Sequence, residues 1–151
     1  MADPPHEMIA TVPCISPWQP WASLLFADGE NRKVHETRTF PFPSKYFGER
    51  IAIHAAKRFP TIEGELHDLC ICAFGPHYRE ALPQGAVIGT LEVDQWTATP
   101  FGAPASPADG VAGDWTPGRF AWRTLHSELL DRPVPYRGRQ GWFRVAIEGA
   151  A

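Results

Sequence analysis

Cysteine is scarce in this chain, long apolar runs are missing, and basic residues are absent from most of its length. The 151 residues include only three cysteines, Cys14, Cys70 and Cys72. An odd number in buried-looking surroundings points to reduced thiols without a disulfide partner, as in the cytoplasm. No second cysteine pair accompanies Cys70-x-Cys72, and a helix turns those two thiols to different faces. A structural zinc completed by His67 and His77 is therefore not expected. No stretch approaches bilayer-spanning length, so no membrane partner is expected. Residues 1–10 lack a basic segment followed by an apolar one and read as a flexible N-terminus, not a signal peptide. No internal repeat is present. What remains, 44% hydrophobic and 21% charged, is the composition of a globular protein. Residues 11–151 are long enough to form a single domain with a real core.

The net charge of −3 conceals an asymmetry. Residues 30–58 hold seven Lys/Arg against three acids, and residues 119–144 hold six Arg against two. The rest of the chain has one basic residue, Arg79, and twelve acids. Should the fold bring the two basic segments together, a groove of positive potential would form on an otherwise acidic protein. Such a groove suits a phosphate-bearing polyanion. The alternative is a set of arginines scattered over a solvated surface.

Along the chain, Thr11–Ser16 reads as a first strand. Pro20 suits a first helical turn, and Trp21, Leu24, Leu25 and Asp28 follow helical spacing over Trp21–Ala27. Gly29 stands where a helix takes a left-handed terminating residue. Alternation over Lys33–Phe40 predicts a strand with Val34, Glu36 and Arg38 on one face. A third strand is expected over Arg50–Ala55, a helix over Thr61–Cys72, and a strand over Ala86–Trp96. Residues 98–118 carry four Pro and four Gly, show no periodicity, and read as a long functional or mobile loop. Strands over Arg119–Leu125 and Trp142–Ile147 complete the set. Five to six strands with two or three short helices make an α+β domain, a small and partly closed β-barrel.

Three motifs in this order carry a resemblance. They are Pro20-Trp21-Ala22, then Gly29 followed by Lys33-Val34-His35-Glu36-Thr37-Arg38, then Ile51-Ala52-Ile53-His54-Ala55. With a closing Pro135-Tyr136-Arg137-Gly138-Arg139-Gln140-Gly141-Trp142, the chain resembles the ASCH domain family, a branch of the PUA-like β-barrels. One departure is visible, since three residues separate Gly29 from Lys33 where one is commoner. The resemblance implies a cytoplasmic domain that acts on RNA or on a nucleoside, in a cleft between barrel and first helix. Relatives include RNA-binding modules, a ribonuclease and small amidohydrolases that deacetylate acetylcytidine. Lys33 would match the catalytic lysine of those amidohydrolases and Glu92 their acid, but Glu36 stands where they carry a threonine.

The candidate catalytic residues are Lys33, Glu36, His54 and Glu92. A lysine in a barrel mouth becomes a base or nucleophile when burial and cations lower its proton affinity. Otherwise Glu36 and Arg38 form an ion pair and Lys33 is a surface group. His54 is an acid or base near neutral pH, or a core histidine bonded to a carbonyl. Glu92 and Asp94, two residues apart on one strand, are a possible Mg²⁺ or Mn²⁺ pair or an outward polar face. Arg38, Lys57, Arg58 and Arg137 are the candidates for phosphate contact, with Trp18, Tyr46 and Trp115 for base stacking. Three functions follow from the resemblance taken together with these residues. The first is single-stranded RNA binding in a basic cleft, with metal-assisted ribonuclease activity possible. The second is an amidohydrolase acting on a modified nucleoside, and the third is a non-catalytic partner-binding module that uses the 98–118 loop.

Overall fold

In the computed structural model, which describes residues 11–147, the strand IAIHA (β3, Ile51–Ala55) lies in the interior of the sheet. All five of its residues are buried, which is why it reads as a continuous apolar run and not an alternation. Ile51, Ile53 and Ala55 face one core, while Ala52 faces another, as a period of two requires. On one side β3 pairs in parallel with β1 (Thr11–Ile15), and on the other it pairs antiparallel with β4 (Ala86–Ala98). Strand β5 (Phe120–Pro135) runs the length of β4, β2 (His35–Arg38) flanks β5, and β6 (Phe143–Ala146) flanks β1. The order is β2-β5-β4-β3-β1-β6.

This is an α+β domain built on one mixed six-stranded sheet. The sheet is open among the described residues, because β2 and β6 end the ladder without pairing with each other. The partly closed barrel expected from strand count is thus reduced to an open sheet. The expectation of a frayed segment over 1–10 falls outside the described residues. No helix among the described residues is long and apolar enough to cross a membrane.

The main core packs Ile15, Leu25, Ile51, Ile53, Leu91 and Trp122 between the sheet and the first helix, α1 (Trp21–Leu24). That helix is shorter than its spacing predicts. The carbonyl of Leu24 accepts a hydrogen bond from the N–H of Lys33 at 2.8 Å, so the chain turns back after four residues. Leu24 and Leu25 are buried as expected, Trp21 is half-buried and Asp28 is exposed. Gly29, at φ +55°, opens a one-turn 3₁₀ helix (Gly29–Asn31) instead of closing α1. At Gly89 a side chain is excluded, since a Cβ there would lie 2.5 Å from the Phe26 ring and 2.6 Å from the Glu128 carbonyl oxygen.

A helical layer covers one end of this core. Helices α2 (Gly64–Phe74) and α3 (Tyr78–Ala81) bury Cys70 and Tyr78 with Leu24, Ala27 and Ala112. Cys72, on another face of α2, is exposed, so only two of the three cysteines are buried. The 98–118 segment is not structureless. It contains α4 (Pro107–Ala112), capped by the Ser106 side chain, which accepts from Asp109 N–H at 3.1 Å. Strand β5 also continues ten residues past the predicted Leu125, to Pro135, because β4 offers it a partner along the whole length.

Candidate functional site

Two cavities open side by side at the end of the sheet where α1, β2, β3 and the 135–141 segment meet. The larger encloses about 1140 Å³ and the smaller about 560 Å³. Ser16, Trp18 and Arg38 line both and form their common wall. Among the described residues, the larger cavity is lined by four cationic side chains, Arg38, Lys57, Arg137 and Arg139, and by no carboxylate. Arg38 and Lys57 come from the first basic segment, Arg137 and Arg139 from the second. The two segments therefore converge here through those members. Lys33 and Arg119 line the smaller cavity, and several other members are occupied elsewhere: Arg32 bonds the Thr124 carbonyl, Arg50 the Thr90 and His126 carbonyls, and Arg123 pairs with Asp94.

The smaller cavity is floored by Lys33 and Glu36, 2% and 4% exposed, so both charges have left bulk water. They satisfy one another: Lys33 Nζ donates to Glu36 Oε1, and Arg38 Nε donates to Oε2 at 2.8 Å. Burial by itself would push the Glu36 carboxyl up, but Lys33 and Arg38 together hold it below its usual range. An ionised carboxylate with both oxygens engaged is not a free proton donor. Glu36, a catalytic candidate from the sequence, stands here as the counter-ion of Lys33 and Arg38, the ion-pair alternative. Arg38, fixed by this bond, has a buried Nη2 with no hydrogen-bond partner in the protein. Arg119 Nε, on the same cavity, is likewise without a hydrogen-bond partner and lies 3.4 Å from Asp114.

His54 is 1% exposed and lies at the wall of the larger cavity. Its Nε2–H donates to the Tyr136 carbonyl at 2.6 Å, and its Nδ1 is 2.6 Å from Ser16 Oγ. Gly138 is pressed against this pair, since a Cβ there would approach His54 Cε1 to 2.7 Å and Ser16 Oγ to 3.1 Å. Sequence reasoning singled out His54 but missed Ser16, because thirty-eight positions separate the two and only the parallel pairing of β1 and β3 joins them. Trp18 is 46% exposed at the mouth of both cavities, and the Arg58 guanidinium sits over its ring at 4.3 Å from the centroid. Arg58 thus supports the indole instead of lining a cavity.

Three assignments move away from the site. Glu92 lines neither cavity: its Oε2 accepts from His126 Nδ1 at 2.5 Å and lies 3.5 Å from Arg50. Its neighbour Asp94 is bound to Arg123, so each carboxylate already has a cationic or imidazole partner and the two do not form a metal pair. Among the described residues, no group of three His, Cys, Asp or Glu side chains is placed to hold a metal ion. Tyr46 packs in an aromatic cluster against Trp142, 4.9 Å between centroids, with the Lys45 ammonium over its ring, and does not reach either cavity. Trp115 is turned inward, edge-on to His35, with its Nε1–H donating to the Asp109 carbonyl.

Asp109 is the principal residue that sequence reasoning passed over. It is fully buried and accepts from Val34 N–H, His35 N–H, His35 Nδ1–H and Ala105 N–H, at 2.7 to 2.9 Å. Burial would push its carboxyl up, yet these donors hold it below the usual carboxylate range. Through it the 98–118 segment is fastened to the start of β2, and Val111 to Asp114 become a wall of the smaller cavity. No family model matches this chain, and no curated protein sequence matches it.

Proposed function

We propose that this is an ASCH-like domain of the PUA-like class that binds single-stranded RNA in the basic cleft. The observation that carries the reading is the larger cavity, with four cationic side chains, no carboxylate, and an exposed tryptophan at its mouth. Three of these cations, Lys57, Arg137 and Arg139, have no ion-pair partner among the described residues and favour a polyanion, and an indole backed by a guanidinium presents its open side to a base. The order of the Pro-Trp-Ala, Lys-x-x-Glu-x-Arg and Ile-x-Ile-His-Ala motifs supports the same class.

The nucleoside amidohydrolase reading has less support. Lys33 faces a cavity of suitable size, but Glu36 replaces the threonine and Glu92 lies outside both cavities. It would be revived by acetylcytidine turnover that Lys33→Ala abolishes. The partner-module reading loses Asp109 and Trp115, which are committed to internal bonds.

Fluorescence anisotropy with a labelled single-stranded RNA tests the conclusion. Four phosphate contacts imply a log–log salt slope of about −3, or about a 50-fold loss of affinity between 50 and 200 mM salt. Arg137→Ala is expected to reduce that slope by about 0.7. Salt-independent binding, or none, would remove the proposal.

A further inference from the structure

We propose that the wall shared by the two cavities is an oxyanion site formed by Arg38 and Ser16, and that filling it drives protonation of His54 through the Ser16 hydroxyl. The proposal rests on the phosphate-groove reading above and supplies its central contact together with a regulator, pH.

The Arg38 guanidinium has unused hydrogen-bonding capacity. Arg38 Nη2 is buried without a partner, while Nε on the same guanidinium is fixed by Glu36. Nη2 has almost no exposed surface, so an oxyanion would meet the guanidinium on the part of the Arg38 side chain, 23% exposed, that lines the two cavities. Ser16 shares the wall with Arg38. Its hydroxyl has a single proton, and the bond to His54 decides where that proton points.

The Tyr136 carbonyl can only accept, so His54 Nε2 carries a hydrogen in either charge state. With the ring neutral, Nδ1 is a bare acceptor and the Ser16 hydroxyl proton points inward to it. With the ring protonated, Nδ1–H donates to Ser16 Oγ, and the hydroxyl proton is released to the cavity. Ser16 can therefore donate to a bound anion while keeping its bond to His54 only when the ring has taken up a proton. The proton comes from solvent, and no covalent bond is made or broken in the ligand.

The surroundings favour the coupling. The groups around the ring are Ser16 and Cys14 from β1 and its continuation, Lys57 beyond β3, Arg38 from β2, Tyr136 to Arg139, and the Phe143 ring of β6 at 6.1 Å. Burial pushes the Cys14 thiol up to about 12, so it stays neutral, and no carboxylate lines the cavity. Lys57, Arg137, Arg139 and Arg38, the last offset by Glu36, oppose an additional positive charge on the ring. A bound oxyanion reverses that opposition. The ligand class is thus a phosphate or sulfate oxyanion, either free or within a nucleic-acid chain.

Histidine Cε1–H resonances followed by NMR from pH 5 to 8 test this directly. The His54 signal is identified by its loss in His54→Gln. The probes are sodium sulfate, which does not titrate in this range, against chloride at equal ionic strength, and an RNA oligonucleotide without terminal phosphates. A saturating probe is expected to raise the His54 midpoint by half a pH unit or more, with His126 unmoved. Affinity should then rise by up to about tenfold per unit of falling pH, the limit for one proton taken up. Ser16→Ala should abolish the shift, and Arg38→Lys should weaken it while leaving the Ser16–His54 bond in place. A shift with sulfate but no RNA binding would keep this site and end the RNA reading; a shift with RNA alone would place the oxyanion within a chain. RNA bound with an unmoved His54 midpoint would overturn the proposal and leave the RNA reading intact. An unmoved midpoint with both probes, or an undiminished shift in Ser16→Ala, would also overturn it.

Discussion

Replacing Glu36 by glutamine tests whether the smaller cavity rests on a buried ion triad. Glutamine preserves the volume but removes the negative charge that serves two cations. Arg38 is partly solvated, its side chain 23% exposed, and can recover water. Lys33 is 2% exposed and cannot. Stranding one buried charge costs about 3–5 kcal/mol. For 151 residues the unfolding entropy near the midpoint is about 0.3 kcal/mol/K, so Glu36→Gln should lower Tm by about 10–15 °C. Thermal and urea unfolding followed by circular dichroism would measure both quantities. Adding Lys33→Met removes the stranded ammonium, and the double variant should recover about half of the loss or more, since an apolar pair of similar volume is often neutral. The pH dependence has a definite sign. Because the folded carboxyl lies below its unfolded value, its stabilisation is complete above about pH 4.3 and is lost as pH falls through the folded value. Wild-type protein should lose stability steeply in acid, and Glu36→Gln less so. A Glu36→Gln variant within 1 kcal/mol of wild type, or a double variant no more stable than the single one, would refute the reasoning.

Asp109→Asn should cost several kcal/mol, because the amide keeps one acceptor oxygen but turns an NH2 donor on the two donors that the other oxygen held in a buried site, and should loosen α4 from β2, seen as a change in Trp115 fluorescence and faster proteolysis within 98–118. Trp18→Ala should weaken RNA binding by about 1–3 kcal/mol with little effect on Tm, because the indole is exposed and stacks on one side only. Native protein should present a single thiol to Ellman's reagent, Cys72, and three in denaturant. Burial raises Cys14 to about 12 and Cys70 to about 11, leaving neither as a reactive thiolate.

Much of the architecture was legible in local patterns. The apolar run at Ile51–Ala55, the alternation over Ala86–Trp96 and the Pro20 start of a helix each report on near neighbours, and each element formed. The errors arise where a distant partner decided. Alternation cannot reveal that β5 extends to Pro135, because the polar residues after Leu125 become strand only through pairing with β4. The 98–118 segment lacks periodicity, yet Asp109 finds the unpaired N–H groups of Val34 and His35 and orders it. Glu92 looked like a site residue from its spacing to Asp94, but the sheet places it beside Arg50 and His126.

The amino-acid order alone determined the α+β composition and the concentration of positive charge in two segments, both of which depend on residue type and short-range spacing. Tertiary structure decided which cations share a hollow, which charges are already paired, and that Ser16 meets His54. Those outcomes follow from burial and from the pairing of strands far apart in the chain, and no local pattern encodes them. Arg38 shows the division most clearly. Its positive charge is evident from the residue type, whereas its unpartnered Nη2 at the wall between two cavities exists only because Glu36 holds the other side of the guanidinium.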